Sequence, residues 1–413
     1  MSKKVVIIGG GIIGLSTAYY LLEEGCNVTV IDQSNISSGA SFVNAGFISP
    51  SHIIPLAAPG MVSTGIKMMF NSASPFYIKP RFNIDLFKWL WKFNKSATKK
   101  NVEYASPIIK DLTDFSLQLF QEMKKSNIFD FHIEKKGLLM AYQTSKFEDK
   151  EANLAEFSKK EGINVKHINK AQLKEMEPEI DAKGAFYYLD DAHTTPNDFM
   201  SAMQEHLKKQ GVTFLTNEKV IGFEQTSTKI THLITNKQQV SCDELVVAAG
   251  SWSPLIAEKL EIKLLVQAGK GYRINLYRDT GINYPTILAE LNTAVSPMDG
   301  FTRFGGTMEI AGINSKINKT RVQQIANNAK TFYPNISITK NEMSDAACGL
   351  RPVSPDGLPF IGRSEKLKNV CFATGHGMMG WSQGHATGKL ISELISDKKT
   401  SLNLNPFSVE RFN

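Results

Sequence analysis

The chain has 413 residues, 42% of them hydrophobic and 21% charged, which excludes a disordered or fibrous protein and predicts two domains. The net charge of +7 is spread along the chain without a nucleic-acid motif, so it favours small anions, phosphates or an acidic membrane surface over nucleic acid. The 4 cysteines have no redox, zinc or disulfide spacing, and the N-terminal residues lack a signal-peptide pattern, so we expect a cytoplasmic protein.

The first three predicted elements form a βαβ unit. Residues 4–8 (KVVII) are short, β-branched and apolar, as in a buried parallel strand. Residues 15–24 have helical periodicity and end at Gly25, a residue suited to a helix C-cap. Residues 27–32 (NVTVID) predict the second strand.

A glycine-rich turn joins the first strand to the helix. Its G-x-G-x-x-G pattern allows a tight turn, the approach of a pyrophosphate and close helix–strand packing. An aspartate ends the second strand, where it can bind ribose hydroxyls and disfavours the 2′-phosphate of NADP. The pattern predicts a dinucleotide site, for FAD or NAD, with these residues: Gly9, Gly11, Ile12, Ile13, Gly14 and Asp32.

The rest of the chain alternates between predicted strands, helices and turn-rich segments. Residues 37–60 have the Gly, Ser, Ala and Pro content of a loop, and residues 271–313 predict a β-rich region. Further strands are predicted at 137–143, 184–190, 212–220, 244–250 and 370–375, and further helices at 61–126, 145–176, 196–210, 320–332 and 382–396.

Two later glycine-rich segments favour FAD over NAD. ELVVAAGSW (244–252) and TGHGMMGW (374–381) each place small residues where a large planar cofactor can lie against backbone. Dinucleotide-type elements thus recur at the start, middle and end of the chain. We predict an α/β fold, α+β overall, in which a mixed-sheet substrate-binding domain is inserted discontinuously into a Rossmann-type FAD-binding domain. The FAD-binding domain is predicted at 1–60, 150–255 and 345–413, and the substrate-binding or cap domain at 61–149 and 256–344.

Four segments resemble one family over nearly the whole chain. The sequence is similar to the D-amino acid oxidase-type flavoproteins, which include glycine oxidase and sarcosine oxidase, and most of all to the bacterial D-amino acid dehydrogenases. The segments are GASFVNAGFISPSHIIPLAAPG (39–60), KWLWKF (88–93), CGLRPVSPDGLPFIG (348–362) and ATGHGMMGWSQGHATGKLISELI (373–395).

The resemblance implies an extended FAD with its isoalloxazine ring at the domain interface. Sarcosine oxidase-type relatives tether FAD through a cysteine near Cys348, but the offset differs here, so we expect non-covalent FAD and a structural cysteine. By matching position, the resemblance places these further residues on the cofactor: Ser41, Asn44, Ala45, Gly46, Val220, Gly250, Trp252, Gly375, His376, Gly377, Met378, Met379 and Gly380.

The implied reaction is oxidation of the C–N bond of a D-amino acid, as in amino acid catabolism, with hydride passing to the flavin. A carboxylate clamp favours arginine, whose planar fork binds both oxygens. Arg351 is the first candidate, unless it pairs with Asp356 or lies at the surface. Arg303 is the second, Tyr272 is a candidate for binding carboxylate or shaping the pocket, and His52 is a candidate for substrate contact. No metal ligand is assigned.

The electron acceptor and the substrate class have alternatives. Residues 65–96 mix basic with aromatic and aliphatic residues, as in a segment on an anionic membrane surface or in an amphipathic cover over the active site. Resemblance to the dehydrogenase branch favours a quinone-type acceptor and a peripheral position on the inner face of the cell membrane. The alternatives are an enzyme for glycine or for secondary amines (sarcosine, proline or D-hydroxyproline), a non-catalytic FAD-binding subunit, and a plain NAD dehydrogenase.

Overall fold

The computed structural model describes residues 2–61 and 76–412. Within these ranges the strands are β1 (Lys4–Ile8), β2 (Asn27–Asp32), β3 (Phe47–Ile48), β4 (Phe76–Ile78), β5 (Ile133–Glu134), β6 (Leu138–Tyr142), β7 (Val165–Asn169), β8 (Gly184–Tyr188), β9 (Ala192–Thr194), β10 (Thr213–Thr216), β11 (Val220–Gln225), β12 (Ile230–Thr235), β13 (Gln239–Ser241), β14 (Glu244–Val247), β15 (Gln267–Leu276), β16 (Thr286–Leu288), β17 (Thr293–Met298), β18 (Phe301–Ile310), β19 (Ala347–Val353), β20 (Phe360–Arg363) and β21 (Val370–Thr374).

The helices of the described ranges lie between these strands. They are α1 (Ile12–Glu23), α2 (Ala40–Val43), α3 (Ile84–Ser96), α4 (Lys99–Ser126), α5 (Ser145–Lys160), α6 (Lys170–Met176), α7 (Pro196–Lys209), α8 (Ser253–Lys259), α9 (Lys319–Phe332), α10 (Lys340–Ser344) and α11 (Gly384–Ile395). Across residues 2–61 and 76–412, every helix is too short or too polar to cross a bilayer.

The nucleotide-binding part is a six-stranded sheet in the order β10–β2–β1–β14–β21–β20. Neighbouring strands run parallel, except that β20 is antiparallel to β21. The apolar run of β1 lies at the centre because both faces of a parallel sheet are covered. On one face α1 packs against α11. Gly388 permits this contact, since an added Cβ there would lie 2.5 Å from the carbonyl carbon of Ser16.

A nine-stranded mixed sheet forms the second layer of the molecule. Its order is β19–β15–β18–β17–β16–β6–β8–β7, with β4 paired to β18. The pairs β6–β16 and β4–β18 are parallel and the others are antiparallel. Helix α9 covers part of this sheet with buried residues that include Ile325 and Phe332. The small antiparallel sheet β3–β9–β5 joins the 39–60 loop to the rest of the fold.

The predicted α/β architecture with parallel and antiparallel sheets is confirmed. Several predicted elements differ in detail. The segment 145–176, predicted as helical, contains strand β7, and the segment 61–126, also predicted as helical, contains strand β4. Residues 62–75 of this second segment lie outside the described residues.

Strand pairing and helix packing also depart from the predicted domain segments in three places. Strands β7 and β8, predicted with the FAD-binding domain, pair within the nine-stranded sheet. Strand β19, also assigned to the FAD-binding domain, pairs with β15 in that same sheet. Helix α4, assigned to the cap, packs against α11. Local patterns do not reveal these partners because strand pairing and helix packing join segments far apart in sequence. The two-domain division itself stays a prediction.

Candidate active site

A cavity of about 1700 Å³ lies between the two large sheets. Pockets for small ligands usually measure about 300–1,000 Å³, so this one has room for a dinucleotide together with a substrate. Its wall includes Gly9 and Asp32 from the six-stranded sheet, and Tyr272 and Arg351 from the nine-stranded sheet. The cavity therefore brings the predicted nucleotide site and the predicted substrate site into one continuous space.

The glycine turn has the close contacts that its sequence pattern requires. Gly9 has φ +110°, and an added Cβ would lie 2.4 Å from the Ala248 carbonyl oxygen. A Cβ on Gly14 would lie 1.9 Å from the Gly9 carbonyl oxygen, so Gly14 serves helix–strand packing. The Ile12 N–H, at the N-terminus of α1, donates to Ser41 Oγ at 2.9 Å. This bond joins the glycine turn to the 39–60 loop. It lies at the N-terminus of α1, and a helix N-terminus is suited to binding phosphate.

Asp32 orders the turn as well as lining the cavity. One carboxylate oxygen accepts from the Gly10 N–H at 2.7 Å. The other accepts from the N–H of Ser34 at 2.8 Å and from its hydroxyl at 2.7 Å. These bonds hold the carboxylate at the end of β2, beside the cavity, where a ribose would lie.

Most of the predicted cofactor residues line this cavity, which fits a bound FAD. Three do not, because their backbones pack against other segments: Gly14 as above, Gly46 against the Thr194 carbonyl oxygen and Gly375 against the Phe360 ring. The lining residues are Gly9, Gly11, Ile12, Ile13, Asp32, Ser41, Asn44, Ala45, Val220, Gly250, Trp252, His376, Gly377, Met378, Met379 and Gly380.

Arg351 lies in the cavity wall on β19, and its guanidinium covers Gly271 of β15. Its Nη1 donates to the Thr307 carbonyl oxygen at 2.7 Å. Burial lowers the pKa of Arg351 to about 10, so it stays cationic at neutral pH. Asp356 instead pairs with Arg411 at 2.8 Å, and among the described residues no acidic side chain forms an ion pair with Arg351. This partly buried charge is available to an anionic ligand.

Arg303 has a different position from the one predicted. It is 2% exposed and does not reach the cavity wall formed by the described residues. Its guanidinium donates to the carbonyl oxygens of Phe42 and Asn44 at 3.0 and 2.6 Å, and to the side chains of Asn275 and Asn197 at 2.9 and 3.0 Å. With these donors bound by protein, Arg303 anchors the 39–60 loop rather than a substrate carboxylate.

Tyr272 and His52 both line the cavity, as expected of substrate contacts. The Tyr272 hydroxyl donates to Glu309 at 2.7 Å, and burial and this carboxylate raise the pKa of the phenol. Tyr272 is therefore a neutral wall residue whose oxygen can still accept a hydrogen bond. Burial lowers the pKa of His52 to about 4, so its ring is neutral. Burial likewise lowers the pKa of His376 to about 3, and its Nε2 lies 2.9 Å from Thr387 Oγ1, which orders the glycine-rich loop.

Ser51 and Asp191 extend from His52 away from the cavity, and the sequence analysis missed them. Ser51 Oγ lies 3.2 Å from His52 Nδ1 and donates to Asp191 at 2.6 Å. The Ser51 N–H also donates to Asp191, at 3.1 Å. Asp191 lies 140 residues away in the chain, so no local signal links it to the loop. The wall also contains Glu151 and Glu290, each with a buried carboxylate oxygen lacking a hydrogen-bond partner among the described residues.

Asparagine in place of Asp191 is expected to change how stability depends on pH. Burial raises the pKa of Asp191 to about 7 from an ordinary 3.8, so the unfolded chain releases a proton that the folded protein keeps. Wild type therefore loses stability as pH rises from about 4 to 7, by up to roughly 4 kcal/mol. The variant lacks this contribution. Urea unfolding across this pH range checks it, with Asp149→Asn, at an exposed site, as the control. Equal pH slopes for wild type and Asp191→Asn would contradict the prediction.

Comparison with known proteins agrees with this arrangement. A family model described as FAD dependent oxidoreductase (DAO) matches residues 4–394. The D-amino acid dehydrogenase of Helicobacter pylori is 32% identical, over 98% of this chain and 97% of that protein. A D-amino acid dehydrogenase of Neisseria meningitidis serogroup C is 28% identical, over 99% of each chain.

Two solved structures share the fold at low sequence identity. Glycine oxidase from Geobacillus kaustophilus has a TM-score of 0.79 at 19% identity and covers 100% of each chain. L-proline dehydrogenase from P. horikoshii has a TM-score of 0.77 at 21% identity, over 100% of this chain and 98% of that one. The family model spans the nucleotide turn, Arg351 and most of α11, and the chain belongs to the DAO family of FAD-dependent oxidoreductases.

Proposed function

We propose that this protein oxidatively deaminates a D-amino acid to an imino acid, which hydrolyses to the 2-oxo acid. The observation that carries this proposal is Arg351, a partly buried cation without an acidic partner among the described residues, in the same cavity as the nucleotide turn. A guanidinium of this kind is suited to a carboxylate ligand. The relatives named D-amino acid dehydrogenase, similar over almost the whole chain, support the same substrate class.

The protein's part in the reaction is to bind and orient the substrate. FAD, when bound, supplies the acceptor for the α-hydrogen, which leaves as hydride. Arg351 would hold the substrate carboxylate, and the Thr307 carbonyl fixes the guanidinium in place. The amine must be neutral for C–H cleavage. Because burial lowers the pKa of His52 to about 4, this ring in the wall is too weak a base to take the ammonium proton, and the amine would bind in its neutral form. The apolar wall residues exclude water from the reacting carbon.

Anaerobic bleaching of the flavin absorbance tests the proposed reaction. The panel comprises D-amino acids, their L-enantiomers, glycine, sarcosine, proline and both hydroxyproline series. Bleaching by D-amino acids and not by their L-forms is the expected result. Bleaching by secondary amines alone would replace the D-amino acid proposal with the secondary-amine alternative. FAD that no amine bleaches would leave the non-catalytic subunit as the better description.

The proposed electron acceptor is a quinone-type carrier rather than oxygen. The dehydrogenase names of the relatives support this choice. During turnover in air we expect little oxygen consumption and rapid reduction of a quinone analogue. Peroxide formed in step with 2-oxo acid would show an oxidase.

We also propose that FAD is bound non-covalently. Cys348, the residue nearest in sequence to the family's tethering position, lies in the cavity wall with Sγ 3.5 Å from the Ser315 carbonyl oxygen. Burial raises the pKa of this thiol, which disfavours the reactive thiolate. Acid precipitation should leave yellow FAD in the supernatant, whereas a yellow pellet would show a covalent bond.

Helix α3 and the residues before it support peripheral contact with an anionic membrane. Lysines alternate with apolar side chains there, and the Lys95 ammonium lies 3.9 Å from the centre of the Trp91 ring. Such a surface combines apolar insertion with attraction to anionic lipid. The exposed side chains are Phe82 (104%), Ile84 (72%), Phe87 (56%) and Trp91 (55%).

Phe87→Ser with Trp91→Ser is therefore expected to abolish most binding to phosphatidylglycerol vesicles. Wild type should co-sediment with these vesicles, less so in high salt, and not with phosphatidylcholine vesicles. The matched control is Ile221→Ser, which removes an apolar side chain that is 48% exposed on β11. A membrane role for α3 would be contradicted if wild type sediments equally with both lipids. It would also be contradicted if the double variant sediments with phosphatidylglycerol vesicles as much as wild type does.

A further inference from the structure

We propose that His132, Glu134 and His193 form a binding site for a divalent transition-metal ion such as Zn²⁺. Their ligand atoms all lie within 4.8 Å of one another. The Nε2 atom of His132 lies 3.8 Å from one Glu134 oxygen, and that of His193 lies 3.7 Å from the other. Two imidazoles and a carboxylate leave the fourth tetrahedral position of Zn²⁺ open.

Strand pairing brings these residues together. His132 and Glu134 are two residues apart in an extended segment, so their side chains share one face. Glu134 of β5 is paired directly with His193 of β9. At a Zn–N distance of about 2.0 Å, tetrahedral ligand atoms lie about 3.3 Å apart. Small side-chain rotations of His132 and Glu134, which are 21% and 38% exposed, would close the site.

Within the described part of the chain, His193 has no hydrogen bond that would account for its buried position. The side chain is 0% exposed, and neither ring nitrogen has a hydrogen-bond partner among the described residues. The Pro297 backbone lies near the ring without forming a hydrogen bond of ordinary geometry. A buried unsatisfied imidazole is costly, and a metal would satisfy it.

His132 also has the support expected around a metal site. Its Nδ1 lies 3.0 Å from Thr195 Oγ1. When Nδ1 carries the proton toward this hydroxyl, the Nε2 lone pair faces Glu134. Partners of this kind orient the ligating histidines of many metal sites.

One charged group competes for the site. The Lys136 ammonium lies 2.8 Å from the Glu134 oxygen that faces His193. A metal ion must displace this lysine from Glu134, and Lys136 is 44% exposed and free to turn into solvent. Removal of the lysine should therefore tighten metal binding, whereas a purely structural His–Glu cluster makes no such prediction.

The site adjoins the loop that lines the cavity. Strand β9 pairs with β3, and the Thr194 N–H donates to the Gly46 carbonyl oxygen at 2.9 Å. Thr194 also accepts from the Trp381 indole N–H at 2.9 Å. A metal that cross-links β5 and β9 should therefore stabilise the wall of the cofactor cavity and raise the unfolding temperature of the FAD-loaded enzyme.

Metal titration of untagged, chelator-treated, FAD-loaded enzyme tests the proposal. Calorimetry with Zn²⁺ and the long-wavelength absorption of Co²⁺, beyond the flavin bands, should both show one site per chain. His132→Gln and Glu134→Gln should each weaken Zn²⁺ affinity at least about 100-fold, since loss of an outer-shell partner alone costs 10–100-fold. Lys136→Met should tighten Zn²⁺ affinity. Zn²⁺ should raise the unfolding temperature of wild type but not that of His132→Gln or Glu134→Gln.

His232→Gln is the matched control, since His232 faces Glu224 at 3.2 Å outside the proposed site; its Zn²⁺ affinity should equal that of wild type. The test does not need a variant of the buried His193, because His132→Gln and Glu134→Gln change the two partly exposed ligands. The proposal is overturned if wild type shows no binding, if His132→Gln and Glu134→Gln bind Zn²⁺ as wild type does, or if Lys136→Met binds no more tightly.

Discussion

Methionine in place of Arg351 is expected to lower kcat/KM for D-amino acids by roughly 10²–10³-fold, with FAD still bound. Removing one partner of a buried charge pair costs about 2–5 kcal/mol, because the other charge stays buried without a partner. In this case the substrate carboxylate would lose Arg351 in a cavity whose wall offers it no second arginine among the described residues. Steady-state dye reduction together with the flavin content of the purified variant checks both parts of the prediction.

Gly271→Ala provides an independent way to disturb the same guanidinium. An added Cβ on Gly271 would lie 2.3 Å from Nη2 of Arg351 and 2.4 Å from Nη1, so the side chain must move while its charge is retained. We expect a smaller loss of kcat/KM than for Arg351→Met, and unchanged FAD content. If kcat/KM stays at the wild-type value in Arg351→Met, this arginine does not bind the substrate.

Methionine in place of Arg303 is expected to destabilise the protein by about 3–5 kcal/mol and to lower its FAD content. The substitution would strip hydrogen-bond donors from the carbonyls of Phe42 and Asn44 and from two asparagine side chains. Each buried acceptor left unsatisfied costs about 1–3 kcal/mol, and the individual costs do not simply add. Loss of the anchor should also release the 39–60 loop that lines the cofactor cavity. Urea unfolding and flavin content measure the two effects.

Arg278→Met is the control for the Arg303 prediction. Arg278 is 42% exposed and pairs with Glu342 at 3.0 Å, and a partly exposed pair contributes about 1 kcal/mol or less. A stable, FAD-replete Arg303→Met enzyme with a high KM would instead restore the view that this arginine binds the substrate. The two arginines thus have opposite signatures, since Arg351 should affect turnover and Arg303 should affect folding and cofactor retention.

The local part of the site could be predicted from the sequence. Gly14 packs against Gly9 within one turn, and Asp32, one strand later, accepts from the Gly10 N–H, so these contacts follow from short-range geometry. The apolar run of β1 likewise predicts a buried parallel strand by itself. Because these features depend on backbone conformation over a few residues, the sequence alone determined the dinucleotide-binding unit. The family was indicated by the resemblance of four longer segments.

Only the tertiary structure decided the roles of residues whose contacts join distant parts of the sequence. Arg303 and Arg351 both lie in strands, and the register of those strands in the sheet places one against the 39–60 loop and the other in the cavity. Asp191 meets Ser51 across 140 residues, and His193 meets Glu134 through the pairing of β9 with β5. Each of these contacts depends on which strand lies next to which, and sheet order is set by burial of the whole chain rather than by any one segment.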